Sequence, residues 1–176
     1  MTEIVIWTNS RIPFGNTGNV LNEDPNTGLL HNFTVSEKAT SISCPDFLLK
    51  FQWEILDARI KPQCHVIIID SKEISGCLPD TLQKICACSI AFVLAHPMKF
   101  VVFYDVLNFS TTAELNNSAT FHQALEAQTF GLSSFVRIHR HQGIPLETTF
   151  KKNQIKPEGA KILARSVLET VMTIWT

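Results

Sequence analysis

His65-Val66-Ile67-Ile68-Ile69-Asp70 holds four consecutive aliphatic side chains between an imidazole and a carboxylate, and it decides how the chain folds. Such a run has no polar face to give to water and reads as a strand buried on both sides, the kind that lies in the middle of a parallel sheet. Upstream, Ser43-Cys-Pro-Asp46 predicts a helix start, with a capping hydroxyl, a proline in the first turn and an early acid that suits the helix dipole. Leu48, Phe51, Ile55 and Ala58 then fall on one face, so this helix packs on the sheet. Before it come a strand at Glu3 to Trp7, ending at Thr8-Asn9-Ser10, a polar stretch from Pro13 to Thr27 that reads as a long loop, and a short strand at about Asn32 to Val35.

Downstream the alternation continues. Pro79 opens a helix that runs to Ala95 and stops before Pro97. Lys99 to Val106 is a second buried strand, Ser118 to Thr129 a helix, and Ser134 to His139 the last strand. Pro157 opens a closing helix with an apolar stripe at Ile162 or Leu163, Val167, Val171 and Ile174. The order β, β, α, β, α, β, α, β, α predicts one α/β domain over residues 1–176, a three-layer α/β/α sandwich on a parallel, flavodoxin-like sheet.

Composition agrees with a single well-buried core: the chain has 176 residues, 45% of them apolar. Its formal charge of −1 hides an asymmetry. Arg137, Arg140, Lys151, Lys152, Lys156, Lys161 and Arg165 face only Glu147 and Glu158 in the same stretch, which carries +5 and leaves −6 for the rest of the chain. The five cysteines show no Cys-x-x-Cys spacing and read as reduced core thiols, with no metal site and no cofactor expected. Met1 leads into a strand-like run without a signal-peptide pattern, and no apolar stretch is long enough to span a bilayer; the expectation is a cytoplasmic protein away from membranes. The Asn32, Asn108 and Asn116 glycosylation patterns are then chance matches.

Ligands of open parallel sheets bind beyond the carboxyl ends of the strands. The segments expected there resemble the blocks of the SGNH (GDSL-type) hydrolases over nearly the whole chain. Thr8-Asn9-Ser10 stands where that family has Gly-Asp-Ser. Val35 to Thr40 has no glycine where the second block does, and Asp70-Ser-Lys-Glu73 replaces Gly-x-Asn-Asp. Asn153-Gln-Ile-Lys156-Pro157 replaces Asp-x-x-His-Pro. The resemblance implies the SGNH-type fold, but of the family's functional letters only Ser10 survives, with Asn153 and Lys156 as vestiges. A serine hydroxyl needs a base held in the right tautomer. Lys156 is protonated near neutral pH unless strongly desolvated. Losing the histidine costs on the order of a million-fold in turnover. The domain is therefore expected to be no enzyme. A Ser10–Lys156 dyad, or His139 or His141 as base, is the catalytic alternative, and a serine esterase or lipase the corresponding activity. As an ordinary residue, Ser10 caps a turn or helix.

The basic segment is the other clue. Lys151, Lys152 and Lys156 are expected at the sheet edge that carries the vestigial pocket, beside a helix N-terminus that favours phosphate, with Arg11 and Lys38 or Lys72 nearby. Together with Arg137, Arg140, His141, Lys161 and Arg165 they form a candidate surface for single-stranded RNA, with Phe14, Phe33 or Phe150 to stack on unpaired bases. As a plain solvated face the same run needs no ligand. An SGNH-like domain stripped of catalytic residues is similar to the OSK domain, the C-terminal domain of insect Oskar proteins. That resemblance implies a cytoplasmic, non-catalytic module of germ-plasm assembly that binds mRNA, with germ-granule proteins as further partners. A third expectation is a protein-interaction scaffold using Ile12, Phe14, Val20 and Leu21.

Overall fold

The structure, a computed structural model, describes residues 2–8, 33–56, 64–70, 79–96, 99–106, 111–129, 136–140, 150–151, 154–155 and 157–175. Five strands, β1 (Thr2–Trp7), β2 (Phe33–Lys38), β3 (Cys64–Ile69), β4 (Phe100–Asp105) and β5 (Val136–Arg140), form one sheet in the order β2-β1-β3-β4-β5. Every neighbouring pair is parallel. Among the described residues four helices accompany it: α1 (Phe47–Leu56), α2 (Pro79–Ala95), α3 (Thr112–Thr129) and α4 (Pro157–Trp175). A short antiparallel pair, β6 (Phe150–Lys151) with β7 (Gln154–Ile155), precedes α4. The strand order is the flavodoxin-like one, as expected, and its direction reverses between β1 and β3.

Side chains alternate across the strands and build two cores. On one face Ile4, Ile6, Val66, Ile68, Val102 and Tyr104 pack against Leu163, Val167, Leu168 and Val171 of α4. On the other, Val5, Trp7, Ile67, Ile69, Val101 and Phe103 pack against Phe47 and Phe51 of α1, Ile85 and Phe92 of α2, and Phe121 and Leu125 of α3. The run that opened the reading, β3, is buried at every residue.

Local chemistry moves several boundaries. α1 begins at Phe47 because Ser41 to Asp46 form a turn instead: Cys44 N–H donates to the Ser41 carbonyl and Phe47 N–H to that of Cys44. Ser43 bonds Ser41 Oγ at 2.9 Å, and the Asp46 carbonyl accepts the first helical bond, from Lys50. α3 starts at Thr112, ahead of the expected Ser118, because Thr111 Oγ1 caps it by accepting the Glu114 N–H at 3.2 Å. Thr-x-x-Glu spacing there is that of a capping box. β2 runs on to Lys38, through residues expected to be loop, because it pairs with β1 along its whole length. The β6–β7 pair lies in the connection between the last strand of the sheet and the closing helix, where no element was expected. Among the described residues no helix is long and apolar enough to cross a membrane, and Cys44, Cys64, Cys86 and Cys88 are thiols outside any disulfide.

Candidate functional site

The reversal of strand order places the ends of β1 and β3 side by side. Thr8 and Asp70, the residues that follow these strands, are buried, and Thr8 N–H donates to the Lys38 carbonyl at 3.0 Å. Next to β3, β4 ends in Asp105, which carries a polar cluster. Ser118 Oγ donates to Asp105 Oδ2 at 2.6 Å, and His122 Nε2 lies 2.6 Å from the same oxygen. The three residue types are those of a hydrolytic triad, but the wiring is different. In a triad the imidazole bridges acid and hydroxyl; here both groups converge on one carboxylate oxygen. All three residues are at most 3% exposed, and His122 Nδ1 has no hydrogen-bond partner among the described residues. The cluster is buried and fastens α3 to the sheet.

A second internal histidine, His65, lies deeper. Trp7 Nε1 donates to its Nδ1 at 3.1 Å, and the rings of Phe51 and Phe92 close around it. Burial, with the Lys99 charge adding to it, pushes its pKa down to about 3, so the ring is neutral.

Two grooves are formed by described residues. The first, about 360 Å³, lies where the edge strand β5 meets α4. Arg137 and His139 reach it from β5, Tyr104 from β4, and Ser166, Glu169, Thr170 and Thr173 from α4. Tyr104 and His139 are stacked, with centroids 5.1 Å apart and 27° between planes. The Tyr104 phenol is hydrogen-bonded with Ser166, and burial pushes its pKa up. Burial holds His139 below the usual imidazole value. The second groove, about 600 Å³, lies between β2 and α1. Exposed Leu49 and Trp53 border it, and its charges are compensated within the protein: Lys38 pairs with Glu54 at 3.1 Å and Lys50 with Asp46 at 3.0 Å.

In these surroundings the predicted basic residues divide. Arg137 and Arg140 are both exposed but stand on opposite faces of β5. Only Arg137 lines the groove, while Arg140 marks the carboxyl end of the strand. Arg165 is exposed on α4, one turn before Glu169. Lys151 lies in β6 and Lys161 in α4. Ser10, Arg11, His141, Lys152, Asn153 and Lys156 lie outside the described residues, as do Lys72 and the apolar residues Ile12, Phe14, Val20 and Leu21. Among the described residues, no group of three or more His, Cys, Asp or Glu could hold a metal ion.

Similarity to known proteins lies in the fold. A carbohydrate esterase whose active site is described as displaying divergent catalytic and non-catalytic binding functions superposes with a TM-score of 0.61. The identity is 11%, over 99% of this chain and 67% of that one. A family two carbohydrate esterase from Cellvibrio japonicus gives a TM-score of 0.58 at 13% identity, over 99% of this chain and 61% of that one. The chain shares the α/β/α fold of these carbohydrate esterases. No family model and no curated protein matches the sequence. The chain thus spans about two thirds of the length of these neighbours.

Tyr104, Ser118, His122 and Glu169 have no part in the family's sequence blocks. For Ser118 and His122 the available signal was their i,i+4 spacing on the helix face that also carries Phe121 and Leu125. Tyr104 gave none, sitting in an unbroken apolar strand, and neither did Glu169, a lone acid on the closing helix.

Proposed function

We propose that this domain is a non-catalytic SGNH-type module that binds single-stranded RNA along the open flank of β5, with mRNA of a germ plasm as the ligand that the OSK resemblance implies. The observation that carries the reading is the pair Arg137 and Arg140. Both are exposed on an edge strand, and neither has an ion-pair partner among the described residues. Cations left free for phosphate are what non-specific nucleic-acid affinity requires. The β2–α1 groove is a weaker candidate because its lysines already hold carboxylates. Loss of the family's histidine, aspartate and oxyanion-hole letters supports the absence of catalysis, and the internal Ser118–Asp105–His122 cluster offers no replacement.

The test is titration of a fluorescent single-stranded RNA at low and high salt, comparing the native protein with Arg137→Glu/Arg140→Glu. Binding should weaken with salt, and the variant should lose at least about tenfold in affinity, with a shallower salt slope. Absence of binding at low salt would overturn the reading. Labelling of Ser10 by a fluorophosphonate probe would replace it with the esterase reading, which the activity of the fold neighbours favours.

A further inference from the structure

Phosphate binding leaves one member of the β5–α4 groove unexplained. Glu169 stands there together with Arg137, and a carboxylate repels a phosphodiester. Its presence makes sense if the groove receives a different part of the ligand.

The floor suggests which part. Tyr104 is fully buried, and its phenol is hydrogen-bonded with Ser166, so the aromatic pair is fixed from beneath. His139 lies over it, half-buried, with part of the ring open to the groove. At neutral pH this ring is uncharged, because burial disfavours its protonated form. A flat, neutral, immobilised ring next to an arginine is a stacking platform for an unpaired base whose phosphate the arginine holds. The space, about 360 Å³, is within the range of small-ligand sites.

We infer that the groove takes one unpaired guanine of the bound RNA, stacked on His139 and held at its Watson–Crick edge by the Glu169 carboxylate. An ionised carboxylate can only accept hydrogen bonds, and its two oxygens are matched by two adjacent donors. Guanine presents such a pair, N1–H and N2–H. Adenine and cytosine each present an amino group beside a ring nitrogen with a lone pair, which a carboxylate repels. Uracil presents a single N–H between two carbonyl oxygens. The Thr170 hydroxyl, on the same flank of α4, donates to the Ser166 carbonyl at 2.8 Å and keeps an oxygen that can accept from the base or its ribose.

The inference rests on the RNA reading and deepens it, placing phosphate at Arg137 and base at Glu169. Oligouridylates carrying one internal guanosine, adenosine, cytidine or no substitution are titrated against native protein, His139→Ala and Glu169→Gln, with GMP as a separate ligand. The native protein should prefer the guanosine oligomer by about tenfold, the discrimination of one good bidentate base contact. Glu169→Gln should bring the guanosine-to-adenosine ratio close to one. The ratio is read, not the affinity, because removing a negative charge strengthens binding to every RNA. His139→Ala should weaken the guanosine oligomer most. Equal, salt-sensitive binding of all four oligomers would overturn the guanine assignment and leave the RNA reading standing; no binding of any oligomer would overturn both. GMP bound as tightly as the guanosine oligomer would overturn the assignment to RNA and make a free guanine nucleotide the ligand.

Discussion

His65 shows how much one side chain can bind the fold to pH. It sits in a strand read from sequence as wholly apolar, and it is tolerated there because it is neutral and accepts the Trp7 N–H. Below about pH 6.5 the unfolded chain takes up a proton that the folded chain refuses until about pH 3. Stability contributed by the neutral ring is therefore complete above that window and is lost as pH falls through it. Between pH 6.5 and 5 the loss is about 2 kcal/mol. Urea midpoints at pH 7 and 5 should fall more steeply for the native protein than for His65→Phe, which is less stable at pH 7 because the indole N–H loses its acceptor; parallel pH dependences would refute this account. Residues of this kind are the hardest to read in advance. Nothing local to His65 announces Trp7, which is 58 positions away in sequence and one strand away in space.

At the scale of elements, α3 is the least apolar helix packed on the sheet, and its polar attachment is the counterpart of that composition. Removing Asp105 would leave His122 and Ser118 buried without their acceptor. Asp105→Ala should cost about 3–5 kcal/mol, the range for breaking a buried pair. Ser118→Ala should cost about 1 kcal/mol. Chemical denaturation measures both, and hydrogen exchange should show the amides of 112–129 opening first in the Asp105 variant; uniform exchange would mean that α3 has no separate dependence on the carboxylate. Element types were legible because apolar period and proline position report them directly: Pro79 and Pro157 open their helices as expected. Boundaries were less so, because they depend on competition. The early start of α3 was written in Thr111 and Glu114, whereas the late start of α1 depends on the Ser41 to Asp46 turn, whose bonds are mostly between backbone groups.

For the whole molecule, topology was readable and chemistry only in part. Alternating strands and helices with right-sized connections leave few arrangements for a parallel sheet, which is why the order β2-β1-β3-β4-β5 followed from pattern. The groove between β5 and α4 did not, because it joins β4, β5 and a helix that begins 17 residues after β5 ends. Arg137 was visible as charge, but its neighbourhood with Tyr104 and Glu169 is a product of tertiary packing. The same arginines have a consequence for the purified protein that concerns neither ligand nor fold. Among the described residues nothing pairs with the outer side of β5, and a parallel sheet that stops at such a strand invites another copy to continue it. Arg137 and Arg140, one on each face, bring like charges together whenever two such edges meet. Replacing both with valine should turn the strand into a sticky end, and light scattering on gentle warming should then report aggregates that the native protein and the Arg137→Glu/Arg140→Glu variant do not form.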